Sequence, residues 1–187
     1  MYSTRVATAL AIPSVLLLAL TACFPTGGAS STACISDKTW VLDLDDSANQ
    51  LGELLASHGL NVTESTGEGR QTFRFDHTGH ATASLDITYT ITVVTNDLTM
   101  TIVQTHSGEP SGGWAWDGDS NTITFVDWDN ADYAIQNTMI VNGVASDAPI
   151  VIPSEDLGST AMETECSGST LTTHVVGAPF TQHWAPA

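Results

Sequence analysis

Basic residues are nearly absent from this chain of 187 residues: Lys38 is the only lysine, and Lys and Arg together number 4 against 21 Asp and Glu. The formal net charge is −17. Four cations cannot assemble a surface that neutralises phosphates, so DNA and RNA are excluded as partners. The motifs of covalent and phosphoryl chemistry are missing too. There is no Gly-x-Ser-x-Gly elbow, no Ser-x-x-Lys and no glycine-rich phosphate loop ahead of a helix. No catalytic residue is therefore assigned, and the chain is expected to be neither an enzyme nor in need of a cofactor. No apolar run reaches the ~20 residues of a membrane-spanning helix. What the chain does have is 27 threonines and a mean hydropathy of +0.06, enough apolar material to close a core and the composition of a strand-rich protein with a hydroxyl-bearing solvent face.

The N-terminus carries an address. Residues 1–22 combine one positive charge at Arg5, an apolar run from Val6 to Leu20 interrupted by Pro13, and small residues, with no acid before Asp37; this is the build of a secretory signal peptide. The segment closes on Leu20-Thr21-Ala22-Cys23, which resembles the bacterial lipobox. That resemblance implies alkylation of the Cys23 thiol by a diacylglycerol carrying fatty acyl chains (palmitate), cleavage just before Cys23, and a place in the cell envelope, on the extracytoplasmic face of a bacterial membrane. The acyl chains would have to do the anchoring, because so acidic a chain is repelled by anionic headgroups. Residues 23–33 (CFPTGGASSTA) are mostly Gly, Ala, Ser, Thr and Pro with no charge, and are expected to form a flexible tether. Lipidation also accounts for the odd cysteine count. Cys34 and Cys166 remain, in an oxidising compartment, and are expected to be bonded to each other, the alternatives being two free thiols or a metal pair.

Residues 34–187 read as one all-β domain. Trp40 to Leu44 alternates as a first strand. From Ser47 the period changes: Ala48, Leu51, Leu54 and Leu55 fall three and four apart, Ser47-x-x-Gln50 has the form of a capping box, and Gly59 is a stop signal. One amphipathic helix over 47–58 is predicted. After Gly69 the pattern has period two. Leu85, Ile87, Tyr89, Ile91 and Val93 alternate with Asp86, Thr88, Thr90 and Thr92, and Asn96-Asp97 turns the chain into a similar strand through Met100, Ile102 and Gln104. Successive hairpins without crossover helices predict an antiparallel up-and-down barrel of about eight to ten strands with one short capping helix, a β-sandwich being the alternative.

Lys38-Thr39-Trp40 at the first strand, the unit from Gly112 to Gly118 (GGWAWDG) followed by Thr122-Ile123-Thr124-Phe125, and Ala131-Asp132-Tyr133 resemble the lipocalin-like small barrels of bacterial envelope lipoproteins. The resemblance covers about residues 34–184 and implies an eight-stranded barrel that holds a small apolar ligand. Tyr89, Trp114, Trp116, Phe125 and Tyr133 lie on the apolar parity of predicted strands and are the candidate lining of such a site, with solid core packing as the competing reading.

Three other constellations are weighed as metal sites. His77-x-x-His80 has ligand spacing, Asp117-x-Asp119-x-Asn121 imitates the start of a calcium loop, and Asp127, Asp129 and Asp132 cluster in sequence. Each is better read as turn chemistry, and no metal is assigned. The expected partners are a membrane, through the lipid anchor, and a small apolar ligand; the alternative function is a non-catalytic structural or protein-interaction domain.

Overall fold

A computed structural model describes residues 32–146 and 161–187; the expected signal peptide, Cys23 and all but the last two residues of the expected tether lie outside them. The chain runs α1 (Thr32–Ile35), β1 (Lys38–Leu42), α2 (Leu44–Ser57), β2 (Val62–Phe75), β3 (His80–Thr95), β4 (Leu98–Gly108), β5 (Ser111–Asp117), β6 (Thr122–Asp129), β7 (Ala134–Val141), β8 (Val144–Ser146), β9 (Ala161–Ser167), β10 (Thr170–Val175) and β11 (Thr181–Pro186). Eight strands close a barrel in the order β2-β1-β11-β10-β9-β6-β5-β3, with β3 returning to β2. All pairings are antiparallel, and the first strand meets the last in the register Trp40↔Pro186 and Leu42↔Trp184.

The remaining three strands leave the barrel. β3 has 16 residues and β2 has 14, whereas the other barrel strands have 5 to 8. A wall built on short strands cannot use such length, and the surplus must find other partners for its backbone groups. The first residues of β3 pair with β5 (His80↔Gly113 to Thr82↔Ser111), and its remainder pairs on the same edge with β4 (Leu85↔Gly108 to Thr95↔Leu98). β4 takes on β7 and β7 takes on β8. The result is a wing, β2-β3-β4-β7-β8, continuous with the barrel wall. Hairpin order alone predicted neighbours in strict succession; the wing is why β3 and β6 instead meet β5 and β9 inside the barrel.

The predicted helix is present but starts earlier. α2 is capped by Asp43, whose carboxylate accepts from the Asp46 backbone N–H at 3.0 Å, and Asp45 and Asp46 occupy its first turn, where negative charge suits the helix dipole. Ser47 instead donates to the Asp43 carbonyl, and Gln50 bridges Asp46 and the Thr181 backbone. Gly59, at φ 86, ends the helix as expected. The residues α2 buries are Ala48 and Gly52, not the leucines, which are half-buried. A Cβ on Gly52 would sit 2.9 Å from Ser65 Cβ, so glycine is what lets the helix lie directly on β2. The Ser65 hydroxyl donates to the Ala48 carbonyl across that contact.

The barrel core is aromatic. Trp40, at 0% exposure, Phe73, Phe75, Trp114, Phe125 and Trp184 are buried with Ile35, Ile123, Met162 and Leu171. Large residues face small ones across the β2–β3 pairing, Phe73↔Ala83 and Phe75↔Ala81, which is how a narrow interior fills without voids. Three indoles of this core find acceptors: Trp40 donates to the Ile35 carbonyl, Trp114 to the Asp76 carbonyl and Trp184 to the Thr173 hydroxyl. Cys34 on α1 and Cys166 on β9 are disulfide-bonded across a sequence separation of 132 residues.

Candidate functional site

The five aromatic positions expected to line one cavity fall in two places. Trp114 and Phe125 face the barrel interior, with Trp116 half-buried at its margin. Ring centroids there are close: Phe73 to Phe75 4.8 Å, Phe73 to Phe125 5.5 Å, Phe125 to Trp128 4.7 Å and Phe75 to Trp114 5.2 Å. These are the separations of rings in contact. Trp128 reaches the core because Gly112 leaves room for it; a Cβ on Gly112 would stand 2.8 Å from Trp128 Cα, and Asp127 takes up φ 50 in the irregular β5–β6 pairing. The Trp128 Nε1 is buried and has no hydrogen-bond partner.

Tyr89 and Tyr133 are not in the barrel. Tyr89 lies on β3 beyond the last residue that pairs with β5, and Tyr133 immediately precedes β7. They meet in the wing around His106. The His106 Nδ1 is 2.6 Å from the Tyr133 hydroxyl, and Tyr89 packs edge-on against the imidazole, 6.1 Å between centroids. Strand register adds the buried Gln104 opposite Tyr89, and Gln104 donates to the Asn137 side-chain carbonyl at 3.0 Å. Burial pushes both phenols above their ordinary range and holds the His106 imidazole below its own, and the His106 Nε2 is buried without a partner. Gln104 and His106 continue the parity of Met100 and Ile102, so two polar residues on an otherwise apolar face were the signal in the sequence for this cluster.

His106 is expected to make the fold acid-sensitive. Its folded pKa is depressed by desolvation, so below the unfolded value of about 6.5 the unfolded chain binds the proton more readily. Stability is then lost as the pH falls from about 6.5 through the folded pKa. His77 acts with the opposite sign, because the Asp37 carboxylate 2.9 Å away raises its pKa; its contribution is present below about 6.5 and fades as the pH rises through the folded value. We expect the denaturant midpoint to fall less between about pH 7 and about pH 5 in a His106→Gln protein than in the parent. Equal falls would assign the acid sensitivity elsewhere.

The other constellations serve turns. Asp76 accepts from the Thr78 and His80 backbone N–H groups and the Thr78 hydroxyl, which hold its pKa down. Asp117 accepts from the Asp119 N–H and the Ser120 hydroxyl, and Asp129 accepts from the Ala131 N–H. Among the described residues no group of three or more His, Cys, Asp or Glu is placed to hold a metal ion.

No protein-family model matches the chain, and neither a curated protein nor a solved structure is similar to it. The closed eight-stranded antiparallel barrel is consistent with a lipocalin-like fold.

Proposed function

We propose that this chain is a non-catalytic binding module anchored by lipid at the extracytoplasmic face of a bacterial membrane, its filled barrel acting as a rigid platform and its wing as the recognition element. The observation that carries this reading is the mutual ring contact of Phe73, Phe75, Trp114, Phe125 and Trp128 at 4.7 to 5.9 Å between centroids, which occupies the space a barrel ligand would need. The lipobox-like Leu20-Thr21-Ala22-Cys23 supports the anchor, and the disulfide agrees with an oxidising compartment.

A lipocalin-like role, with a small apolar ligand among the barrel aromatics, is favoured by one observation, the unpartnered Trp128 Nε1, since a buried donor without an acceptor is costly and a ligand oxygen would satisfy it. Native mass spectrometry of the protein purified from its own envelope separates the two. The platform reading expects a chain beginning at acylated Cys23 with no further adduct. A co-purified small molecule that disappears in Trp128→Phe would replace it with the ligand reading, and a mass counted from Met1 would remove the anchor.

A further inference from the structure

Three of the large apolar side chains that the fold leaves exposed gather at one place. Leu60 (37% exposed) follows α2, Leu98 (49%) follows the β3–β4 turn and Val144 (70%) follows the β7–β8 turn. The turns are adjacent: the Val94 N–H donates to the Asn61 carbonyl, the Asn142 N–H to the Thr99 carbonyl, and the Thr99 N–H to the Asn142 side chain. Leu98 shares the strand parity of Met100, and Val144 stands opposite Val141, so both extend the same face of the wing. Residues 58–62, 95–98 and 142–144, which make up this tip, include a single acid, Asp97, in a chain that has 21.

We propose that the wing tip inserts into the interfacial layer of a neutral lipid bilayer, as a second contact at the end of the molecule opposite its anchor. The proposal rests on the anchored reading above. Three aliphatic side chains fall far short of the roughly 800 Å² per partner that a stable protein interface buries. A fluid lipid surface accepts so small a contact. The low local charge removes the repulsion that the rest of the chain would meet, and anionic headgroups should weaken the contact. Geometry permits both contacts at once. α1, where the described chain begins, packs beside Phe75 and Cys166, whereas the tip adjoins Val62, and β2 spans the two over about 43 Å at ~3.3 Å per residue. The residues from Cys23 to Ser31 reach at most about 30 Å, which lets the domain lie lengthwise on the bilayer that holds Cys23. Tethering supplies the effective concentration that so small an apolar contact needs.

The test uses the mature protein purified from its own envelope and placed in phosphatidylcholine vesicles, with an environment-sensitive fluorophore on Asn96→Cys and, as control, on Thr138→Cys of the wing's opposite face. The label at 96 is expected to shift to the blue and to be quenched by lipid-borne spin labels, and the label at 138 to stay as in water. Leu98→Asp with Val144→Asp should lower the inserted fraction about tenfold or more while near-ultraviolet circular dichroism stays unchanged. A label at 96 that remains solvent-like on vesicles that still float with the protein overturns the tip and leaves the anchor standing. Quenching at 96 in a chain whose Cys23 proves unacylated keeps the tip and removes the anchor. A label at 96 that is solvent-like on vesicles but shifts in the native envelope would point to a protein partner, which also overturns the lipid proposal.

Discussion

Opening the Cys34–Cys166 bond is expected to cost about 5 kcal/mol of stability, the chain-entropy value for a closed loop of this length. The bond spans 132 residues of sequence and pins α1 to β9, so its loss frees the start of the domain from the barrel end. Ile35 and Trp40 would lose their enclosure with it, because Trp40 donates to the Ile35 carbonyl and both are fully buried. Denaturant unfolding of the Cys34→Ala, Cys166→Ala pair against the oxidised parent measures the effect. A difference under about 1 kcal/mol would show that the unfolded chain is restrained by something other than this bond.

Phe73→Ala is expected to cost about 3 to 5 kcal/mol, in the range of a large aromatic removed from a closed core. Phe73 touches four rings, those of Phe75, Phe125, Trp128 and Trp184, at 4.8 to 5.9 Å, and it is paired across the sheet with an alanine that cannot fill the gap. Trp116→Ala, at the half-buried margin, and Leu54→Ala, on the half-buried side of α2, should each cost clearly less. Thermal or denaturant midpoints for the three variants give the ranking. If Trp116→Ala proved as damaging as Phe73→Ala, the core would extend further round the barrel than its ring contacts indicate.

The face of each strand was readable from alternation, and so was the class of fold. Odd positions from Ala81 to Val93 point inward in the structure as the pattern of β3 required, and the disulfide followed from counting three cysteines against one sequence resembling a lipobox. Cys23 itself lies outside the described residues. What alternation could not supply was where along a strand the barrel ends. Tyr89 has the right parity and the wrong partner: its neighbour is Gln104 on β4 and not a residue of β5, a choice made by tertiary pairing rather than by any local preference. Tyr133 was misplaced for the same reason. The helix start shifted because Asp43 competes with Ser47 for the cap and brings two further acids into the first turn, and α1, at four residues, is too short to carry a period.

Because β1 is paired with β11, with Trp40 opposite Pro186 and the Ala187 N–H donating to the Thr39 carbonyl, the barrel wall has its seam between residues almost a whole chain apart. Such a contact is among the slowest to form, since nearly all of the intervening chain must be ordered before the seam rewards it. A polypeptide emerging from the ribosome therefore remains open until its final strand is available. On the export proposed above, this delay would keep the polypeptide threadable while it crosses the membrane and would defer the locking of the seam to the far side, where thiols can also oxidise.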